Sequence, residues 1–191
     1  YSVTITAPVS VDGLRFEVRS YNDAIGSGYI YYDDFSVTAS ADTDPPTWTS
    51  TYPKSQSETA SGFEVAVSLD EIGSAYFVVL ADAATAPSSA QVKAGTDASD
   101  DALASNLKGT ISVLAPTTGF TGSASSLSSS TAYDVYVVAE DDEGSPNLQA
   151  SPTKIDVNTT VATSSPTAST SAASSVDHVS ATLNGSVTAN N

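Results

Sequence analysis

The chain has 191 residues, with 22 acidic against 6 basic side chains and a net charge of −16. Such a surface repels nucleic-acid phosphates and anionic lipid, and no apolar run reaches the ~20 residues of a membrane-spanning helix, so we expect neither nucleic acid nor membrane insertion. The absence of Cys and the single His, His178, exclude disulfides, zinc–cysteine sites and multi-histidine metal sites.

Residues 1–41 are predicted to form two or three strands. "LRFEVRSY" alternates apolar and polar side chains, and "YIYYDDFSVTA" returns the chain after a long turn. An isolated hairpin is marginally stable, because it cannot bury its apolar face. We therefore expect this piece to be the C-terminal end of a larger β domain.

Residues 42–160 are predicted to form a β-sandwich with a partly helical insertion. Pro45 and Pro46 mark the boundary before it, since neither can donate to a strand ladder. Within the insertion, Ser88 is suited to cap a short helix and Gly95 to end it. The predicted strands are "GFEVAVSL", "SAYFVVLA", "GTISVLA", "GFTGSASSL", "AYDVYVVAE" and "PTKIDVNT".

The C-terminal part changes composition. Residues 161–175 are almost wholly Thr, Ser, Ala and Pro, which predicts a linker or a loosely attached first strand. Residues 176–191 then alternate as the first strand or strands of a further β-sandwich module. We expect the chain to be a window cut from a longer one, opening and closing inside domains.

One stretch carries a family resemblance. "LSSSTAYDVYVVAED" has the pattern L-x-x-x-T-x-Y-x-V-x-V-x-A, through which residues 45–160 resemble the fibronectin type III-like domains of bacterial extracellular proteins, an immunoglobulin-like sandwich. The resemblance implies a tyrosine corner, with the ring of Tyr133 in the core and its hydroxyl bonded to backbone near Leu127. Two departures are the helical insertion and the third strand, where Tyr76 and Phe77 stand in place of a core Trp.

Weaker resemblances flank this domain. "TLNGSV" looks like the opening strands of another fibronectin type III-like module, and "GYIYYDDFSVTA" resembles the last strand of jelly-roll domains, including many carbohydrate-binding modules. Families of the second kind bind glycans through exposed aromatics and often hold one structural calcium. The resemblance thus implies glycan contact at Tyr29 and Tyr31, against ordinary core or cross-strand packing, which we rank higher.

Four consecutive carboxylates, residues 140–143, end the strand of Tyr133. A glycosidase pair needs two carboxyl groups held apart across a cleft, and "EDDEG" lacks the spacing of a calcium-binding EF-hand loop. We therefore predict a solvated loop, with a weak calcium site as the alternative and catalysis last.

Asp33 and Asp34 are stronger candidates than residues 140–143 as ligands of a structural calcium ion. Asp33 has the same parity as the apolar Phe35 and Val37, so it faces the core unless a bulge turns it outward. A buried carboxylate needs a cation or hydrogen-bond donors. The alternatives to a cation are such a bulge or backbone N–H donors, and we rank them higher.

Two Asn residues begin N-glycosylation motifs: Asn158 in "NTT" and Asn184 in "NGS". In a prokaryotic protein we rank modification below an unmodified surface at both.

Three functions are weighed. The first is a non-enzymatic structural or adhesive segment of a secreted prokaryotic cell-surface protein, such as a filament subunit assembled by strand addition with other copies or neighbouring domains. The second is a glycan-binding module with spacer domains from a secreted polysaccharide-degrading enzyme. An enzyme within this window has no supporting set of residues. No cofactor is required by any of these motifs, although a structural calcium is compatible with them.

Overall fold

The computed structural model describes residues 42–189. These residues form a mostly β structure of nine strands in antiparallel sheets with one short helix. The strands are β1 (Lys54–Gln56), β2 (Gly62–Val67), β3 (Gly73–Ala81), β4 (Lys108–Val113), β5 (Phe120–Ser125), β6 (Ala132–Asp141), β7 (Thr153–Asn158), β8 (Thr167–Ser174) and β9 (Thr182–Thr188), and the helix is α1 (Ser89–Ala94).

The first seven strands form two sheets that share one core. One sheet has the order β1-β2-β5 and the other the order β4-β3-β6-β7. Alternate side chains of β2, β3 and β6 point between the sheets, as the period of two in their apolar residues dictates. The buried members of this core are Phe63, Val65, Val67, Leu69, Ala75, Phe77, Val79, Ile111, Val113, Ala124, Leu127, Val135, Val137, Ala139 and Val157.

Phe77 of β3 lies in this core. Its side chain is 1% exposed, and its ring lies against two glycines, Gly109 on the paired strand β4 and Gly122 on β5. A Cβ atom built on Gly109 would stand 2.5 Å from the ring, and one on Gly122 would stand 2.8 Å from it. Both positions therefore leave room for the ring by carrying no side chain.

The four-stranded sheet is apolar on its outer face as well. Val92 of α1 packs there against Val78 and Leu80 of β3 and Tyr136 and Val138 of β6. A sheet covered on both faces needs continuous apolar strands, which accounts for "YFVVL" and "VYVVA". The insertion is thus the cover of this sheet.

Helix α1 begins and ends at the residues that the sequence indicated. The Ser88 hydroxyl accepts a hydrogen bond from the Gln91 backbone, and the Gln91 side chain accepts one from the Ser88 backbone at 2.8 Å, which forms a capping box. Gly95 ends the helix with φ of 72°, a left-handed conformation that favours glycine.

Strands β8 and β9 form a separate two-stranded ribbon. Residues 167–174, predicted as linker or as a loosely attached first strand, are strand β8 and pair with β9 with an irregularity between Ser171 and Ser174. Every residue of β8 and β9 except Asn184 is exposed. Within the described part of the chain, backbone pairing and a few side-chain hydrogen bonds hold these residues in strands without a packed core.

Candidate cation site and charged clusters

Four of the predicted site residues lie outside the described part of the chain. They are Asp33 and Asp34, predicted for calcium, and Tyr29 and Tyr31, predicted for glycan contact. The other two, Leu127 and Tyr133, lie inside it.

Tyr133 ties the segment before β6 to that strand. Its half-buried ring packs against the main core, and its hydroxyl accepts a hydrogen bond from the backbone nitrogen of Ser128 at 3.0 Å. Ser128 follows Leu127, which is itself buried and whose backbone nitrogen bonds to the Ser61 carbonyl at 3.0 Å. The crossover from β5 to β6 is therefore fixed at both sheets.

The prediction of a solvated loop at residues 140–143 is wrong for its first two acids. Strand β6 continues through Glu140 and Asp141, and both side chains are buried, whereas Asp142 and Glu143 are exposed. The strand runs on because Gly73 and Ser74 of β3 pair with these two residues.

The Glu140 carboxylate joins α1 to the sheet. It forms an ion pair with Lys93, from the last turn of α1, and accepts a hydrogen bond from the Tyr76 hydroxyl at 3.3 Å. The pKa of Lys93 is raised, chiefly by its hydrogen bond to Glu140. The pKa of Tyr76 is also raised, first by burial and then by the Glu140 charge. This carboxylate is therefore used within the fold.

Asp141 closes the turn between β6 and β7. Its side chain accepts hydrogen bonds from the backbone nitrogen and the Nδ2 of Asn147, each at 2.9 Å. Donors within the chain meet the need of a buried carboxylate, and no cation is required for it.

A cluster that the sequence analysis missed lies at the other end of β6. Asp82, Asp134 and Asp156 each offer a carboxylate oxygen, and these oxygens lie within 4.8 Å of one another. Asp134 of β6 faces Asp156 of β7 in the strand register, and Asp82 directly follows β3. The sheet thus brings together three acids that are far apart in sequence.

Lys154 supplies a cation to this cluster. Its Nζ lies 2.9 Å from an oxygen of Asp134 and 2.8 Å from one of Asp156. Asp134 is 1% exposed, so the Lys154 ammonium is paired with a carboxylate that is shielded from solvent. Hydrogen bonds to Asp156 and then Asp134 raise the pKa of Lys154, and the same contact lowers the pKa of Asp156.

The three carboxylates have the oxygen chemistry that a calcium ion prefers. A divalent ion at this place would have to displace the Lys154 ammonium from two of them. Among residues 42–189 this is the group of acids that could hold a metal, and Lys154 forms ion pairs with two of its three members.

Carboxylates also crowd near Glu71, in the turn between β2 and β3. The pKa of Glu71 is raised, first by burial and then by the charges of Asp70, Asp42, Asp141 and Asp142. Asp70 in turn accepts hydrogen bonds from the backbone and hydroxyl of Thr47, at 2.7 and 2.6 Å. Burial and neighbouring negative charges therefore both disfavour the ionised form of Glu71.

Trp48 lies near this turn. Its Nε1 donates a hydrogen bond to the Thr153 hydroxyl at 3.1 Å, and its ring packs, partly buried, against the main core. It also lines a shallow cavity of about 310 Å³ with Pro45, Pro46 and Gln149. The Gln149 side chain is already bonded to backbone at Pro46 and Ala139.

Between residues 42 and 189, no helix is long and apolar enough to cross a membrane. His178 is exposed. The chain matches no protein-family model, no curated protein and no solved structure.

Proposed function

We propose that residues 42–160 are an immunoglobulin-like sandwich of the fibronectin type III kind, acting as a non-enzymatic structural module in a secreted prokaryotic cell-surface protein. The strand order carries the proposal. The first, second and fifth strands form one sheet and the fourth, third, sixth and seventh form the other. Successive strands that cross between two such sheets are typical of this class of sandwich.

The contacts of Tyr133 support the same assignment. A tyrosine near the start of the sixth strand bonds back to the segment before it, at Ser128, as a tyrosine corner does. In this proposal, the helical insertion after β3 is an addition to the seven strands of such a sandwich.

The use of the buried acids supports a structural role over a catalytic one. Glu140 is engaged by Lys93 and Tyr76, Asp141 by Asn147, and Asp134 by Lys154. A catalytic carboxylate has to reach a substrate from a cleft, whereas each of these three carboxylates is buried and lies against a partner within the chain.

The ribbon of β8 and β9 is proposed as the opening hairpin of a further module. Its apolar side chains at Val179, Leu183 and Val187 are 73–86% exposed, a state that adjoining strands would relieve. In the surface protein, those strands come from a neighbouring domain of the chain or from another copy by strand addition. In the filament version of this proposal, residues 176–189 of one copy pair with residues 1–39 of the next.

Electron microscopy of the native material, with and without a calcium chelator, tests this function. Regular fibres or stalks of repeated small domains are expected. Isolated particles whose flanking density continues in one chain would overturn the filament version and leave a spacer. Specific binding to a polysaccharide, or its hydrolysis, would overturn the structural role itself.

Matched variants show which acidic residues bind the calcium that the chelator removes. If calcium maintains the fibres through Asp33 and Asp34, the variant Asp33→Asn with Asp34→Asn should fail to form them even with calcium present, whereas Asp82→Asn should form fibres that still respond to the chelator. The reverse result would move the calcium site to the cluster of Asp82, Asp134 and Asp156.

A further inference from the structure

The two N-glycosylation motifs differ in what their side chains do in the folded chain. The acceptor in this reaction is the Asn side-chain amide, and the Ser or Thr two residues later supplies the hydroxyl that completes the motif. Both groups have to be available to a transferase. Their hydrogen bonds and exposure therefore rank the two motifs.

The motif at Asn158 presents both groups to solvent. Asn158 is the last residue of β7, an edge strand of its sheet. Asn158 and Thr160 are exposed while Thr159 between them is buried, the alternation of an extended chain that places residues i and i+2 on one face. Within residues 42–189, no hydrogen bond engages the side-chain amide of Asn158 or the side-chain hydroxyl of Thr160.

The backbone of this motif is held in place from the inside. Thr159 donates from its hydroxyl to the Ser128 carbonyl at 2.6 Å, and the backbone nitrogen of Thr160 bonds to the Thr59 carbonyl at 2.9 Å. These bonds fix the outward direction of the two side chains that the motif needs.

The motif at Asn184 is occupied by its own ribbon. The Asn184 Nδ2 donates to the Ala172 carbonyl at 2.8 Å and lies 3.1 Å from the Ser174 hydroxyl. The hydroxyl of Ser186, its third residue, lies 2.8 Å from the hydroxyl of Ser169. Modification here would break contacts that join β8 to β9.

We propose that Asn158 is an N-glycan acceptor of the folded chain and that Asn184 is not. The donor is an oligosaccharide linked through pyrophosphate to a lipid. The bond between the anomeric carbon of the sugar and the pyrophosphate oxygen breaks, and a bond from that carbon to Nδ2 of Asn158 forms. The lipid pyrophosphate leaves with the electron pair of the broken bond, and Nδ2 releases one proton to solvent.

The test uses the purified folded chain, a lipid-pyrophosphate-linked oligosaccharide, and a single-subunit oligosaccharyltransferase chosen because it modifies short peptides of both motifs. Glycopeptide mass spectrometry follows occupancy at each Asn with time. We expect modification at Asn158 to be about tenfold faster or more than at Asn184, because the latter must first give up hydrogen bonds.

Three variants sharpen the measurement. Thr160→Ala should abolish modification at Asn158, and Thr160→Ser should restore part of it. Ser186→Thr gives both motifs the same third residue, and the preference for Asn158 should persist in the folded chain.

An unmodified Asn158 in the folded chain would overturn the proposal, since the peptide control shows that the motif is a substrate. Equal rates at the two sites in folded Ser186→Thr protein would also overturn it. Recovery of modification at Asn184 only after denaturation would support it.

Discussion

The sandwich of residues 42–160 and the ribbon of β8 and β9 are both antiparallel β structure, yet they are stabilised differently. In the sandwich, alternate side chains such as Phe77 and Val137 are removed from water between two sheets. In the ribbon, Leu183 is 86% exposed, and backbone pairing with a few side-chain hydrogen bonds joins the two strands. An isolated pair of strands is only marginally stable in water. The sandwich is therefore stable by itself, whereas the ribbon needs further packing or pairing to be stable.

The largest expected effect comes from the core. Phe77→Ala should lower the free energy of unfolding of the sandwich by about 3–5 kcal/mol, because it removes a ring between two glycines and leaves a cavity. Leu183→Ala in the ribbon is the matched control and should change it by less than about 0.5 kcal/mol. Urea denaturation followed by Trp48 fluorescence measures both. Equal losses would show that the ribbon is part of the same cooperative unit.

A smaller loss is expected from the charged cluster on β6 and β7. Lys154→Met should lower the melting temperature because it leaves the buried Asp134 without its cation. Adding Asp134→Asn to that variant should restore part of the loss, since the uncompensated charge is then gone. A single variant as stable as the parent protein would contradict the pairing.

The cluster also sets a pH window. Lys154 has a raised pKa, so its contribution is complete below the unfolded value of about 10.4 and is lost only above it. Asp156 has a lowered pKa, so its contribution is complete above the unfolded value of about 3.9 and is lost as the pH falls further. The difference in stability between the parent and Lys154→Met should therefore be constant from about pH 5 to pH 9 and shrink in acid.

The hydroxyl of Tyr133 should contribute less. Tyr133→Phe keeps the ring in the core and removes the acceptor of the Ser128 backbone hydrogen bond, which should lower the free energy of unfolding by about 1 kcal/mol. Tyr52→Phe is a control outside this crossover. If Tyr133→Phe did not change the free energy of unfolding, the packing of the ring, and not the hydroxyl, would account for the tyrosine at this position.

The smallest effect should have the opposite sign. Glu71 has a raised pKa, so relative to the unfolded chain it favours the folded state below about pH 4 and opposes it as the pH rises. Glu71→Gln should therefore raise stability at pH 7 by about a few tenths of a kcal/mol, and less in high salt. Glu58→Gln, in the turn between β1 and β2, is the control. A destabilised Glu71→Gln protein would contradict the repulsion.

Sequence patterns indicated much of the sandwich because burial there follows the period of the strand. Val65 and Val67 of β2, and Val135 and Val137 of β6, alternate as the core requires. Strand β1 was missed because "KSQ" is short and carries no apolar alternation. The ends of α1 were predicted because Ser88 and Gly95 act locally.

The charged clusters were harder to predict, because they depend on pairing between distant strands. Asp82, Asp134 and Asp156 meet only through the register of β3, β6 and β7. A signal existed at Asp134, which has the same parity as Tyr136 and Val138 in a strand that is apolar on both faces. A carboxylate at such a position requires a cation or donors.

Helix α1 has a consequence for how this module could change during evolution. Without residues 88–103, the outer face of the four-stranded sheet would expose the side chains of Val78, Leu80, Tyr136 and Val138 together. Recombination that exchanged the loop between β3 and β4 for a short turn would therefore expose an apolar patch that favours aggregation. The loop and the strands beneath it must be inherited as one unit, and a gain or loss of either selects for compensating polar or apolar changes in the other.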